Sequence, residues 1–147
     1  MIWVVAILLS ALLVIATVLV HFKGLIAIKR FALNSPHALT EWHLVATILL
    51  ILILHVAEIL IFSGGLFFAH HTLELGQFLG ARDFRAIDYF HFSAETFTTL
   101  GYGDIYPLGP LRILASLESI TGLLLIAWSG AFSYATLQNL IDSGPDR

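Results

Sequence analysis

Hydrophobic and polar positions in this chain segregate into long blocks. Ile2 to Val20 is apolar almost without a break. Leu44 to Phe62 repeats the pattern and extends towards Phe68, interrupted by His55 and Glu58. A third block runs from Leu111 to Leu137. Each is long enough to cross a bilayer, which takes about 20 apolar residues in a helix. Between the second and third blocks the pattern changes. His70 to Arg85 is polar and contains glycine; Ala86 to Thr98 is short and largely apolar. That short segment cannot span a membrane, and it is too apolar for a free loop. At membrane depth it needs protein or a water-filled cavity around it. The pattern predicts an all-α membrane protein with three spanning helices and one short helix that enters and returns.

Composition narrows this further. Of 147 residues, 59% are hydrophobic and 12% charged, about half the charged share of a soluble domain. The net charge of −3 points to no nucleic-acid partner. There are no cysteines, which excludes disulfides, thiol catalysis and thiolate metal sites. Nothing charged precedes Ile2–Val20, whereas Lys23, Lys29 and Arg30 follow it. It is therefore expected as a retained helix with its N-terminus outside and the C-terminus of the chain cytoplasmic. Asn34-Ser35-Pro36 reads as a turn, Trp42 and His43 suit an interface, and Gly64-Gly65 is expected to loosen the outer end of the second helix. No span carries the regularly spaced arginines of a voltage sensor. Only Gln138 to Arg147 follow the third block, so no ligand-sensing domain is expected there. No nucleophile–base pair or phosphate loop is recognisable, so neither an enzyme nor a cofactor is expected.

The chain is organised around Glu95-Thr-Phe-Thr-Thr-Leu-Gly-Tyr-Gly-Asp104. Glycine adopts positive φ without steric cost. Glycines in alternation permit an extended run whose successive carbonyls point to one side. A ring of such runs stacks layers of oxygens that replace the hydration shell of a cation. Thr99 adds a hydroxyl layer, and Tyr102 points away as a brace.

At these residues the chain resembles the potassium-channel pore family, with Thr99-Leu100-Gly101-Tyr102-Gly103-Asp104 standing for its Thr-Val-Gly-Tyr-Gly-Asp signature. Glu95-Thr96, Thr98-Thr99, Tyr106-Pro107, Arg112 and Gly122 extend the likeness to the prokaryotic two-span type. Leu100 replaces the usual valine, and His91-Phe92 stands where a bacterial member has two tryptophans. The resemblance implies a pore unit at 44–137: outer helix 44–68, turret 69–85, pore helix 86–98, filter 99–104 and inner helix 111–137. Residues 1–23 form an additional helix, 24–43 a cytoplasmic or interfacial linker, and 138–147 a short tail. One chain supplies one wall of the pore, so a homotetramer in a bacterial cytoplasmic membrane is expected. The carbonyls of Thr99, Leu100, Gly101 and Tyr102 would hold dehydrated K+, the permeant ion, and Gly103 completes the filter. The negative end of the pore helix favours a cation in the cavity below.

Supporting residues follow from the same resemblance. Glu95 is expected to carry the shared proton of a carboxyl pair and donate to Asp104. His91, on the same helix face, either replaces the missing tryptophan donor to Asp104 or simply sits in the outer interface. Leu123, Ile126, Gly130 and Tyr134 match cavity positions, with Tyr134 as a gate and Gly122 as a hinge; helix packing is the alternative reading. His55, Glu58 and Glu118 are ionisable residues inside spans, which are costly and face protein or water. They are expected to cluster as structural glue, a gating sensor or a metal site. His70, His71 and Glu74 are either an external divalent-ion site or a wetted rim.

The resulting function is passive, selective conduction of potassium. The altered surround of the filter keeps a weakly selective cation channel as an alternative, and a non-conducting scaffold or regulatory subunit is the rival from another class.

Overall fold

A computed structural model describes residues 1–33, 41–80 and 84–142. Four helices carry the fold: α1 Ile2–Leu33, α2 Glu41–His71, α3 Ala86–Phe97 and α4 Leu111–Asp142. Three contain segments long and apolar enough to cross a membrane, Ile2–Phe31, Trp42–His71 and Leu111–Gln138. The chain is an integral membrane protein. α3 is far shorter and lies between α2 and α4 in sequence, packing on both.

The helices extend beyond the expected blocks. α1 continues past Val20 to Leu33, so much of the anticipated 24–43 linker is helix. Basic residues near its end do not stop it, because long lysine and arginine stems can lie along apolar surface while their charges reach water. The Asn34-Ser35-Pro36 turn, and Arg82 and Asp83 of the turret, lie outside the described residues. α4 runs on to Asp142 and takes in the start of the anticipated tail. α2 is unbroken through Gly64-Gly65, contrary to the loosening expected there. A Cβ on Gly65 would sit 2.4 Å from Leu13 Cδ1. The residue is small so that α1 and α2 can approach closely, as in other membrane helix pairs.

α1 faces the protein along one stripe. Ala6, Ser10, Leu13, Thr17, His21, Leu25 and Ile28 recur at three- and four-residue spacing, and all are buried. Leu13 joins Phe62, Leu66, Tyr89, Phe97 and Leu114 in a core shared by all four helices. Leu25, Ile28 and Ile51 form a smaller core near the other end of α1.

Two-residue strands tie the loops together. β1 (Phe78–Leu79) pairs antiparallel with β2 (Tyr106–Pro107), Phe78 opposite Pro107 and Leu79 opposite Tyr106. Leu108 N–H donates to the Gln77 carbonyl at 2.8 Å beside them. Gly80 follows at φ 109°, and a Cβ there would lie 1.7 Å from the Asp104 carbonyl oxygen. Only glycine fits that contact, which pins the segment before α3 to the end of the glycine-rich stretch.

Candidate functional site

The site begins with how α3 starts and stops. At its start the Asp88 carboxylate accepts the Arg85 backbone N–H at 2.6 Å. An acidic group in the first turn suits the positive end of the helix dipole. At the other end, Thr99 N–H donates to Thr96 O at 3.1 Å and Leu100 N–H to Glu95 O at 2.9 Å. Those two bonds form a Schellman motif, in which the residue just past the helix turns left-handed and is usually glycine. Here it is Thr99, at φ 59°. A non-glycine residue in that conformation costs roughly 1–2 kcal/mol.

Positive φ then recurs at every second residue. Gly101 has φ 56° and Gly103 φ 82°, while Leu100 and Tyr102 between them keep negative φ. Residues 99–104 are all exposed in the single chain, Leu100 at 59% and Tyr102 at 69%. Beside them opens a cleft of about 330 Å³ lined by Glu95, Thr96, Thr99, Gly101, Ser116 and Ser119.

Behind this stretch, Glu95 is buried and His91 half-exposed. Glu95 Oε2 accepts the Tyr102 backbone N–H at 3.2 Å. His91 Nε2 lies 2.6 Å from Glu95 Oε1, off the line of a ring N–H bond, and 4.0 Å from Asp104 Oδ2. Asp104 Oδ1 accepts the Ile105 backbone N–H at 3.1 Å. The expected donation from Glu95 to Asp104 is therefore not made. The ligand atoms of His91, Glu95 and Asp104 lie within 4.8 Å of one another, with the imidazole facing both carboxylates. Its ring also stacks on Tyr102, centroids 6.2 Å apart at 16°. Phe92 is buried and meets Phe78 edge-on at 5.1 Å, with no donor to offer.

The expected intramembrane cluster of His55, Glu58 and Glu118 does not form. Glu58 is fully buried and meets two imidazoles, His21 Nδ1 at Oε1 and His55 Nδ1 at Oε2, each at 2.8 Å. Glu118 instead meets the hydroxyl of Ser93 on α3, which also reaches the Ile59 carbonyl at 2.9 Å. Equal depth along two helices says nothing about direction around them, and Glu118 points to α3. His21 was not anticipated as a site residue. It lies one residue past the apolar block Ile2–Val20; the signal for it is the small and polar stripe Ser10, Thr17, His21.

On α4, Leu123, Ile126, Gly130 and Tyr134 are all exposed in the single chain, along one side of the helix. Gly122 is packed: a Cβ there would lie 2.0 Å from the carbonyl oxygen of Phe97, the last residue of α3. At the C-terminal end of α2, His70 Nδ1 and His71 Nε2 meet the Tyr89 hydroxyl at 2.5 and 3.0 Å. Burial holds the Tyr89 phenol above its ordinary pKa. Glu74 does not converge with the two histidines among the described residues, so of the two readings the three-ligand external site is not assembled.

A membrane protein with a short helix between two spanning helices, ending in a strained glycine-rich stretch, is a pore-type architecture. The model of the family described as "Ion channel" matches residues 38–138. The chain belongs to the ion channel family. It is 39% identical over 70 residues to the inward rectifier potassium channel Kirbac3.1 of Paramagnetospirillum magnetotacticum, covering 46% of this chain and 24% of that one. The aligned part is thus about a quarter of the relative's length. No solved structure matches the chain.

Proposed function

We propose that this chain is one of four identical subunits of a potassium-selective channel, and that Thr99–Gly103 line its conduction path. The observation that carries this is the alternating sign of φ at Thr99, Gly101 and Gly103. In an ordinary strand successive carbonyls face opposite sides; this alternation turns them to one side, as a stack of cation-binding oxygens requires. Thr99 strengthens the reading. A glycine would relieve its backbone, yet a threonine is present. Strain held at one residue points to a demand on its side chain, here a hydroxyl at the inner end of the stack.

The rest of the site fits the same reading. The exposed Leu100, Tyr102 and the Leu123–Tyr134 stripe are apolar or aromatic surface that a four-fold assembly would cover or turn towards a central cavity. Glu95 holds the Tyr102 amide from behind. His91 takes the position between Glu95 and Asp104 as the brace of the outer filter. The orientation that suits such a pore has the N-terminus of α1 outside and the C-terminus of α4 inside the cell. The similar relative is named as a potassium channel, which agrees with potassium as the permeant ion.

A second reading, a weakly selective cation channel, has one observation in its favour. Phe92 cannot donate a hydrogen bond to a tyrosine hydroxyl, so the filter's brace is less polar than in the family it resembles. Flux from potassium-loaded liposomes, with sodium as the paired ion and barium as blocker, separates the readings. Barium-sensitive flux favouring potassium is expected. Equal fluxes would support the second reading, and no flux would contradict both.

A further inference from the structure

The conduction reading gives α1 no task, yet α1 carries a fully buried histidine. His21 and Glu58 are 0% exposed and His55 15%. Both imidazoles turn Nδ1 towards one carboxylate, each at 2.8 Å from a different oxygen. The ligand atoms of the three side chains lie within 4.8 Å of one another. The rings are held from outside the cluster. His21 packs against Trp128 with centroids 5.3 Å apart, His55 against Phe97 at 5.8 Å, and the two imidazoles stack at 5.6 Å and 29°. Ligands whose orientation is fixed by packing are preorganised.

Three further points concern chemistry. Two imidazole nitrogens with one carboxylate are a donor set that zinc-class ions take, usually with water as a fourth ligand. Around a tetrahedral ion with bonds of about 2.0–2.1 Å, ligand atoms sit roughly 3.3–3.5 Å apart. The present 2.8 Å contacts, one to each carboxylate oxygen, would need to open by roughly half an ångström or a little more. Next, the Glu58 carboxylate lies fully buried inside the bundle. Among the described residues no lysine or arginine pairs with Glu58, and a bare charge is costly there. A bound cation offsets it. Finally, His21 Nε2 is buried without a hydrogen-bond partner. Ligation through Nδ1 fixes the ring hydrogen on Nε2, and an N–H beside an aromatic ring is a weakly favourable contact where a bare lone pair is not.

We propose that His21, His55 and Glu58 form a binding site for one divalent transition-metal ion of the zinc class, joining α1 to α2 within the membrane. The other His-carboxylate group, His91, Glu95 and Asp104, is a poorer candidate. His91 and Asp104 are exposed at 48% and 60%, and both carboxylates already accept backbone N–H groups.

The test uses the full-length protein in detergent, stripped with a chelator and titrated with Co2+. The expected result is one ion per chain, with the visible d–d absorption of a four-coordinate ion, displaced by Zn2+. Glu58→Gln and His55→Asn should each weaken binding by about tenfold or more. Metal should raise the thermal midpoint of the parent chain in a concentration-dependent way, and should not raise that of the variants. Circular dichroism at matched helicity keeps this distinct from misfolding, and His21→Asn serves if either variant fails to fold. Absence of the spectrum between pH 6 and 8, unchanged binding in Glu58→Gln, or loss of the signal in His91→Gln instead would each overturn the proposal. None of these readouts depends on conduction, so the site and the channel reading fail separately.

Discussion

Thr99–Gly103 and the His21–His55–Glu58 cluster are built on opposite principles. The first is exposed in the single chain, strained in its backbone and short of partners of its own. The second is fully buried at His21 and Glu58 and partly buried at His55, and both oxygens of its carboxylate are matched by imidazole nitrogens. On the proposed reading, a backbone that presents carbonyls to a passing ion cannot spend them on internal hydrogen bonds. It is held instead from its ends and from behind: by the Schellman bonds at Thr99 and Leu100, by Glu95, and by Gly80 against Asp104. The buried cluster has no such duty, and in a medium without water its groups must satisfy one another. Disturbing the exposed stretch should therefore change selectivity with modest effect on stability, and disturbing the cluster should do the reverse.

The largest effect is expected from Gly103→Ala. Nothing lies within 4 Å of a Cβ there in the single chain, so the penalty acts through φ 82°. Alanine at positive φ costs roughly 1–2 kcal/mol and should rotate the peptide. The predicted outcome is a potassium-to-sodium flux ratio falling towards one in liposomes, with the thermal midpoint shifted by only a few degrees. Unchanged selectivity would break the comparison at its first term.

Glu58→Ala is next. It removes both contacts and leaves the buried His21 and the partly buried His55 unmatched, at an expected loss of about 1–3 kcal/mol for each group left unsatisfied. Thermal unfolding in detergent should show this, together with increased protease access to α1. Gly122→Ala follows, because its new methyl would collide with the Phe97 carbonyl. Overpacking of this kind costs about 1–3 kcal/mol. As Phe97 ends α3, this variant should lose some stability and some selectivity together, bridging the two regions.

The smallest effect sharpens the contrast most. Thr99→Gly relieves a left-handed threonine and should raise stability by about 1 kcal/mol, while the lost hydroxyl lowers potassium selectivity. Stability and function then move in opposite directions at one residue. A stability loss on this substitution would mean that Thr99 is not strained.

The two regions also differed in how readily the sequence revealed them. The three spans, the short α3 and the glycine alternation could all be read, because each is written in consecutive residues. The buried cluster could not. His55 and Glu58 stand out as polar residues in an apolar run, but their third member, His21, lies on another helix, just past its apolar block. Depth along α4 places Glu118 level with Glu58, whereas its direction around the helix brings it to Ser93. Side-chain direction across helices depends on how they pack, and one sequence carries little of that. The pairing of Phe78–Leu79 with Tyr106–Pro107 was missed because two-residue strands leave no alternation to detect. The His91–Glu95 contact is an i,i+4 pair within α3 and is legible in the sequence, whereas the approach of His91 to Asp104 depends on how the loop after α3 folds back.

The most direct test of the central claim is the reversal potential of the reconstituted protein in a planar bilayer, with potassium on one side and sodium on the other. If Thr99–Gly103 form a potassium-selective path, the potential lies far from zero towards the potassium equilibrium value, and Gly103→Ala brings it close to zero. A reversal potential near zero for the parent chain, or one that Gly103→Ala leaves in place, would contradict the account.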